Sequence, residues 1–295
     1  MTITDEDLMK FQTSYKAFDT YPFNDLGLAQ SGIHYARLQE ALSCHARREE
    51  QSELFKNPES AEALSNAFVR SGLIIRPNFF DSEIYENLRL ISMLYPEHMN
   101  KHDEVILSKQ NEPCFELFLN GIVGYLAAAC LKVDINHEDF KKQYRENTFV
   151  QSVKFDGKND DEQQMPHMDT FYPSLKFWYF FDDVKADHGA FCYSKGSVNY
   201  MGGANGMFPN WYNEQILGVV DGSYDGSRGR GTPEGSLRIT LDELEQFGLG
   251  YKPVVVEGNT LVIANVMGFH GRGISKKELT RTSIHGSIRL NEPMR

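Results

Sequence analysis

Thr148-Phe149-Val150-Gln151-Ser152-Val153-Lys154-Phe155 is the stretch where the chain changes its period. Up to Asn147 apolar residues recur at helical spacing. From Thr148 they alternate, and residues two apart share a face, as in a half-buried strand. Phe149, Gln151, Val153 and Phe155 then point inward, with Ser152 and Lys154 outward. Gln151 is a polar group on an apolar face and needs a buried partner, either a bound molecule or neighbouring backbone. The same reading places strands at 176–181, 189–193, 252–256, 260–266 and 281–290. Each is short, aromatic or β-branched, and bounded by Gly, Asp, Asn or Pro. Strands of this kind with no helices between them predict an antiparallel barrel or jelly roll.

Before residue 148 the pattern is mostly helical. Helices are expected over 35–51, from an Asn57 cap with Pro58 in the first turn to about Val69, over 83–94 behind Asp81 and Ser82, and over 116–131. One short strand, 73–76, interrupts them. The expectation is a single domain over 1–295. Residues 1–147 supply a helical layer and a first strand, and 148–290 the jelly-roll core. Ten of the 24 glycines fall within 196–235, an insert that reads as a lid or as a surface excursion.

Composition narrows the partners. Thirty Lys and Arg against 41 Asp and Glu give a net charge of −11 over 295 residues, which argues against a nucleic-acid partner held by phosphate contacts. The longest apolar run, 121–131, is far short of the roughly 20 residues of a membrane span. The acidic amino terminus lacks the basic and apolar regions of a signal peptide. Cys44, Cys114, Cys130 and Cys192 are scattered, without metal-ligand spacing, and read as free thiols. The expectation is a cytoplasmic protein acting on a small molecule, without nucleic acid or membrane partner and with its oligomeric state open.

The chemistry-bearing residues begin at Met165-Pro166-His167-Met168-Asp169-Thr170. In an extended segment His167 and Asp169 present an imidazole and a carboxylate to one side. Alone, His-x-Asp is a pattern that surface turns also produce. A third ligand must come from elsewhere, and the best candidate is His270 in Gly268-Phe269-His270-Gly271, just past the strand 260–266. Two His and one carboxylate on one face of a metal form the facial triad of non-haem iron(II), which leaves positions open for substrate and oxygen. Eleven residues after His270 stands Arg281. By alternation Arg281, Ser283, His285 and Ser287 share one face of their strand, and Thr282, Ile284 and Ile288 the other. A polar face led by Arg and Ser suits the grip of a carboxylate, with a bidentate guanidinium and a hydroxyl.

His167-x-Asp169, a His about a hundred residues on and an Arg eleven past it resemble the iron(II)/2-oxoglutarate-dependent dioxygenases, and within them the phytanoyl-CoA dioxygenase-like branch. Phe68-x-x-x-Gly72-Leu73-Ile74-Ile75 followed by Phe79-Phe80 is similar to that branch's opening strand. Trp178, Asp182-Asp183, Gly189-Ala190-Phe191, Lys195-Gly196-Ser197 and Gly258-Asn259-Thr260 also fit. The likeness spans roughly 65–290. It implies a mainly β, double-stranded β-helix (jelly-roll, cupin-like) core with an N-terminal and flanking helical layer. It implies His167, Asp169 and His270 as ligands of Fe(II), with 2-oxoglutarate and O2 as cosubstrates. Arg281, helped by Ser283, would hold the distal carboxylate. The reaction implied is oxidation of an unactivated C–H bond, by hydroxylation or by desaturation or cyclisation, with 2-oxoglutarate converted to succinate and CO2. Related halogenases put Gly or Ala where Asp169 stands, which argues against halogenation.

The chain departs from that pattern in three ways. Lys195-Gly196-Ser197-Val198 replaces Pro-Gly-Ser-His. Arg272 stands where many relatives carry a small hydroxyl residue, so it either reaches a substrate anion or points to solvent. No basic cluster serves a coenzyme-A phosphate tail. Gln151 is a candidate for a hydrogen bond to 2-oxoglutarate or substrate, and Tyr172 for the substrate pocket. His188 and His285 are further imidazoles, the first in a polar turn and the second lining a pocket or core. The sequence leaves two other classes open: a non-catalytic jelly-roll binding module, and a metal-dependent isomerase or hydrolase on the same barrel. Arg281-x-Ser283 argues against the latter. Loops for nucleotide phosphates, nucleophile elbows and His-Glu-x-x-His are absent.

Overall fold

The computed structural model of the chain describes residues 58–80, 82, 85, 104–106, 122–156, 162–169, 174–198, 237–276 and 278–289. The helix expected over 35–51, all but residue 85 of that over 83–94, residues 116–121 of the next, and most of the Gly-rich insert lie outside these residues. So do Tyr172, Cys44 and Cys114.

Helix α1, Pro58–Arg70, starts at the expected proline, whose fixed φ suits a first turn. It ends where the Ser71 hydroxyl donates to the Ala67 carbonyl at 2.7 Å and Gly72 turns to φ +72°. Only glycine suits that turn, because a Cβ there would lie 2.0 Å from the Tyr193 hydroxyl. Strand β1, Leu73–Arg76, follows with the expected bounds. Next come β2, Glu104–Ile106, α2, Ile122–Leu131, and α3, Glu138–Glu146. Helix α3 was not foreseen; its two buried rings, Phe140 and Tyr144, stand four apart on one face amid charged residues.

The strands from residue 148 on are β3, Thr148–Asp156, β4, His167–Met168, β5, Leu175–Phe180, β6, Phe191–Tyr193, and β7, Leu237–Arg238. Helix α4, Leu241–Gln246, comes next, then β8, Lys252–Pro253, β9, Thr260–Asn265, β10, His270–Arg272, and β11, Glu278–Ile288. One sheet has the order β1-β9-β5-β11-β3-β2 and the other β7-β4-β10-β6-β8, with every pairing antiparallel. From β3 the chain passes between them: large sheet, small, large, small through β8, then large, small, large. That alternation is the double-stranded β-helix, so the expected fold class holds. Two segments differ from expectation. The run 252–256 breaks after Pro253, and Val256 instead bridges Val184. The last strand begins at Glu278, because β3 pairs with it back to Asp156.

Alternation along the large sheet makes two cores. Phe177 and Tyr179 of β5, Leu261 and Ile263 of β9, and Ile284 and Ile288 of β11 face outward. They are covered by Leu64 and Phe68 of α1, Val123 and Leu126 of α2, and Phe140 and Tyr144 of α3. Tyr144 stacks on Phe177 at 5.7 Å between centroids, which fastens α3 to β5. Trp178, Phe180, Val262 and Ala264 face inward and meet Phe191 and Tyr193 of the small sheet. Cys130 and Cys192 are buried free thiols, and burial pushes Cys192 up to about 11. No helix among the described residues is long and apolar enough to cross a membrane.

Ile284 is fully buried between β11 and the helices, whereas Ile75 on β1 is 38% exposed. Ile284→Ala is expected to lower unfolding free energy by about 2–5 kcal/mol and Ile75→Ala by about 1 or less, read by denaturant unfolding. Equal losses would contradict the two-sided packing of the large sheet.

Candidate metal centre

The centre is built on two of the shortest strands in the fold. β10 pairs with β4 so that His270 stands directly opposite His167. Opposed residues on neighbouring antiparallel strands share a face with Cβ atoms ~5 Å apart. The two imidazoles accordingly meet with ring centroids 4.5 Å apart. Asp169 lies two residues past His167, just beyond β4, where its backbone N–H donates to the Val266 carbonyl at 2.9 Å. Its Oδ1 is 3.5 Å from His167 Nε2 and 3.5 Å from His270 Nε2. The donor atoms of His167, Asp169 and His270 all lie within 4.8 Å of one another.

Backbone carbonyls orient both rings. His167 Nδ1 is 2.8 Å from Met165 O and His270 Nδ1 2.9 Å from Gly268 O. Those contacts assign the proton to Nδ1 and leave the Nε2 lone pairs directed at Asp169. His270 Nε2 is buried without a hydrogen-bond partner. An orphaned acceptor beside a second imidazole and a carboxylate oxygen fits a divalent first-row metal with three protein donors on one face.

Electrostatics keep His167 and Asp169 in their binding forms. Burial, and then the neighbouring His270, push His167 down to about 3, against the opposing pull of Asp169. Burial works to raise Asp169. The Lys176 ammonium and the two imidazoles outweigh it and hold the carboxyl well below its usual range. Lys176 Nζ sits 2.5 Å from Asp169 Oδ2, and Arg289 Nη2 reaches the same oxygen at 3.5 Å. One carboxylate oxygen is therefore committed to side-chain cations, and the other faces the imidazoles. Lys176 escaped the sequence reading, although alternation with Trp178 and Phe180 puts it on the inward face, where a charge needs a partner. Arg238 also escaped it. This buried side chain stands opposite His167 on β7, in a segment with no period to read.

Beside the donors opens a cavity of about 490 Å3. His167, His270, Lys176, Arg281, Arg272, Gln151, Trp178 and His285 are among the residues that line it. Arg281 lies over the rings of Phe155 and Phe180, at 5.5 and 5.7 Å from their centroids. Its Nη1 donates to the Gly189 carbonyl, and its Nε is buried without a partner. No carboxylate among the described residues pairs with it. Burial, then the charge of Arg272, push its pKa down to about 10.

The remaining sequence candidates are placed as follows. Ser283 is buried on the inward face between Arg281 and His285, opposite Gln151 and Phe180. Gln151 lines the cavity. His285 stands between Phe149 and Trp178, with centroids 4.8 and 5.3 Å away, and burial followed by Lys176 pushes it down to about 3. It lines the cavity but is not in the donor cluster. His188 faces Asp187 at 3.7 Å and is also not in the cluster.

No family model matches the sequence, and no curated protein matches it. Solved structures of similar fold include the epimerase SnoN in complex with Fe3+, α-ketoglutarate and nogalamycin RO. It aligns at TM-score 0.49 and 12% identity over 78% of this chain and 84% of that one. HygX from Streptomyces hygroscopicus with nickel and 2-oxoglutarate bound aligns at TM-score 0.41 and 18% identity, over 75% and 83%. The non-heme α-ketoglutarate-dependent carbocyclase SnoK aligns at TM-score 0.40 and 12% identity, over 77% and 82%. Likenesses this distant carry no argument about chemistry.

Lys176→Met removes the nearest counter-charge of a buried carboxylate. It should destabilise the metal-free protein by about 2 kcal/mol, less than a fully buried pair because Lys176 is partly exposed. A divalent metal should close the gap by supplying the missing charge; equal losses with and without metal in denaturant unfolding would contradict the pairing. A second expectation concerns acid. The unfolded chain protonates His285 near 6.5, the folded one only near 3. Between these values the unfolded state binds the extra proton, so stability is full above 6.5 and declines as pH falls. His285→Phe should reduce that acid slope by up to about 1.4 kcal/mol per pH unit. An unchanged slope would place His285 in water.

Proposed function

We propose that the chain is an Fe(II)- and 2-oxoglutarate-dependent oxygenase that oxidises an unactivated C–H bond of a small organic molecule. The observation that carries this reading is that the two imidazoles of the His167, Asp169 and His270 cluster line one cavity with Arg281, a cation with no carboxylate partner among the described residues. A three-donor centre leaves positions for exogenous ligands. A buried guanidinium without a carboxylate partner among the described residues, in the same cavity, calls for an anion. A 2-oxo diacid satisfies both, with its oxo-acid end at the centre and its distal carboxylate at Arg281.

Iron bound here would supply activation of O2 coupled to conversion of 2-oxoglutarate to succinate and CO2. The protein's residues do the rest. His167 and His270 direct Nε2 lone pairs to the centre, and Asp169 offers Oδ1 while Lys176 and Arg289 hold Oδ2. Arg281 presents a planar fork that matches a carboxylate. Ser283 on the same face, and Gln151 opposite it, are the candidates for further hydrogen bonds to the cosubstrate. Phe155, Phe180, Trp178 and Phe191 surround the site with low-dielectric rings, which strengthens the ion pair at Arg281. His285 stays neutral and adds no charge. Iron and its cosubstrates, when bound, would supply the oxidant for hydroxylation, desaturation or cyclisation at a substrate C–H bond held in this cavity.

Asp169→Ala should abolish succinate formation from 2-oxoglutarate. Arg281→Ala should raise the 2-oxoglutarate concentration needed for half-maximal rate roughly 100-fold, as loss of one partner of a desolvated charge pair does. Unchanged turnover in either variant contradicts the proposal.

A further inference from the structure

His285 is a buried imidazole that neither the donor cluster nor the carboxylate grip at Arg281 uses. On β11 it shares the inward face with Arg281 and Ser283, and it lines the cavity together with His167 and His270. The ladder sets Phe149 of β3 on one side of it and Trp178 of β5 on the other. Those two rings pack against the imidazole and hold it in place. Its Nδ1 is buried without a hydrogen-bond partner, and neither ring nitrogen is hydrogen-bonded to a described residue. An apolar side chain would serve packing alone better, because a buried imidazole gives up the hydrogen bonds it makes in water.

The position of His285 along β11 decides which end of the cavity it serves. Arg281 stands four residues away on that strand, roughly 13 Å at ~3.3 Å per residue. Arg281 lies over Phe155 and Phe180, whereas His285 lies between Phe149 and Trp178. In the other direction, Lys176 precedes Trp178 by two on the same face of β5 and touches Asp169. After burial, Lys176 and Asp169 are also the charges that act on His285. The ring therefore belongs to the metal end of the cavity. A neutral imidazole offers one N–H donor and one acceptor. An ammonium group brought to it would meet Lys176, and a carboxylate would favour the imidazolium that burial and Lys176 oppose. Resting on the oxygenase reading above, we propose that His285 is a substrate-recognition residue whose ring hydrogen-bonds an uncharged hydroxyl or carbonyl group of the substrate beside the metal centre. The substrate then carries such an oxygen near the C–H bond that is oxidised.

Phenol and cyclohexanone are the probes, with benzene and cyclohexane as controls of similar shape that lack the oxygen. The full chain, loaded with diamagnetic Zn(II) and 2-oxoglutarate and isotopically labelled at the histidine nitrogens, is titrated with each and followed by NMR. The His285 resonances are those missing from His285→Phe. Phenol or cyclohexanone should shift a His285 ring nitrogen, and the controls should not. His285→Phe keeps a ring between Phe149 and Trp178. It should weaken the oxygenated probes roughly 3- to 10-fold, the range of one neutral hydrogen bond, and leave the hydrocarbons as they were. His285→Gln, which keeps a donor and an acceptor, should recover part of that loss. Zn(II) and 2-oxoglutarate affinities should not change in either variant, which separates recognition from loss of fold. If 2-oxoglutarate binds but neither oxygenated probe shifts a His285 nitrogen, the inference is overturned and His285 is a packing residue. Equal probe affinity in wild type and His285→Phe overturns it in the same way. If wild-type protein binds no 2-oxoglutarate, the oxygenase reading itself fails and the inference falls with it.

Discussion

The register that sets His270 against His167 on β10 and β4 is the constraint from which the site follows. A one-residue slip would turn one imidazole to the opposite face. Three features hold the register. The strands are locked on both sides, β10 by β6 and β4 by β7. Asp169 is tied by its backbone to Val266, at the end of the neighbouring large-sheet strand. Each imidazole also donates to a carbonyl two residues before it, so ring orientation is set by the same backbone that sets position.

Around this frame the inner faces of both sheets are unusually charged for a barrel interior. Lys176, Arg272 and Arg281 all line the cavity, and Asp169 is the acidic group among the donors. Lys176 and Asp169 offset each other, whereas Arg281 has no such partner among the described residues. The chain as a whole carries −11, whereas the charged residues that line this cavity, among the described ones, are cations. An interior arranged in this way favours small anions and restrains a bound carboxylate more than water would.

How much of this could be read from the sequence depended on element length. The faces of β11 were legible because its eleven residues set Arg281, Ser283 and His285 against Thr282, Ile284 and Ile288. β4 and β10, two and three residues long, have no room for a period. His-x-Asp and the later His could be picked out by residue type and spacing, but not seen to be cross-strand neighbours. The direction of Arg272 was undecidable until β10 existed, since its inward face follows from that of His270. Lys176 was readable in principle from its alternation with Trp178. Helix α4 was readable too, because Thr240 and Glu243 form a capping box. Helix α3 hid behind its charges, with only Phe140 and Tyr144 to mark it.

The account's central claim is that three side chains hold one metal beside a cation that receives a diacid. Its most direct test is an anaerobic titration of purified protein with Fe(II) and then with 2-oxoglutarate, followed by visible absorption. One metal should bind per chain, and 2-oxoglutarate should then bring up a charge-transfer band that is missing in His270→Ala. A correctly folded protein that takes up no Fe(II), or that takes it up and shows no band on adding 2-oxoglutarate, would contradict the claim.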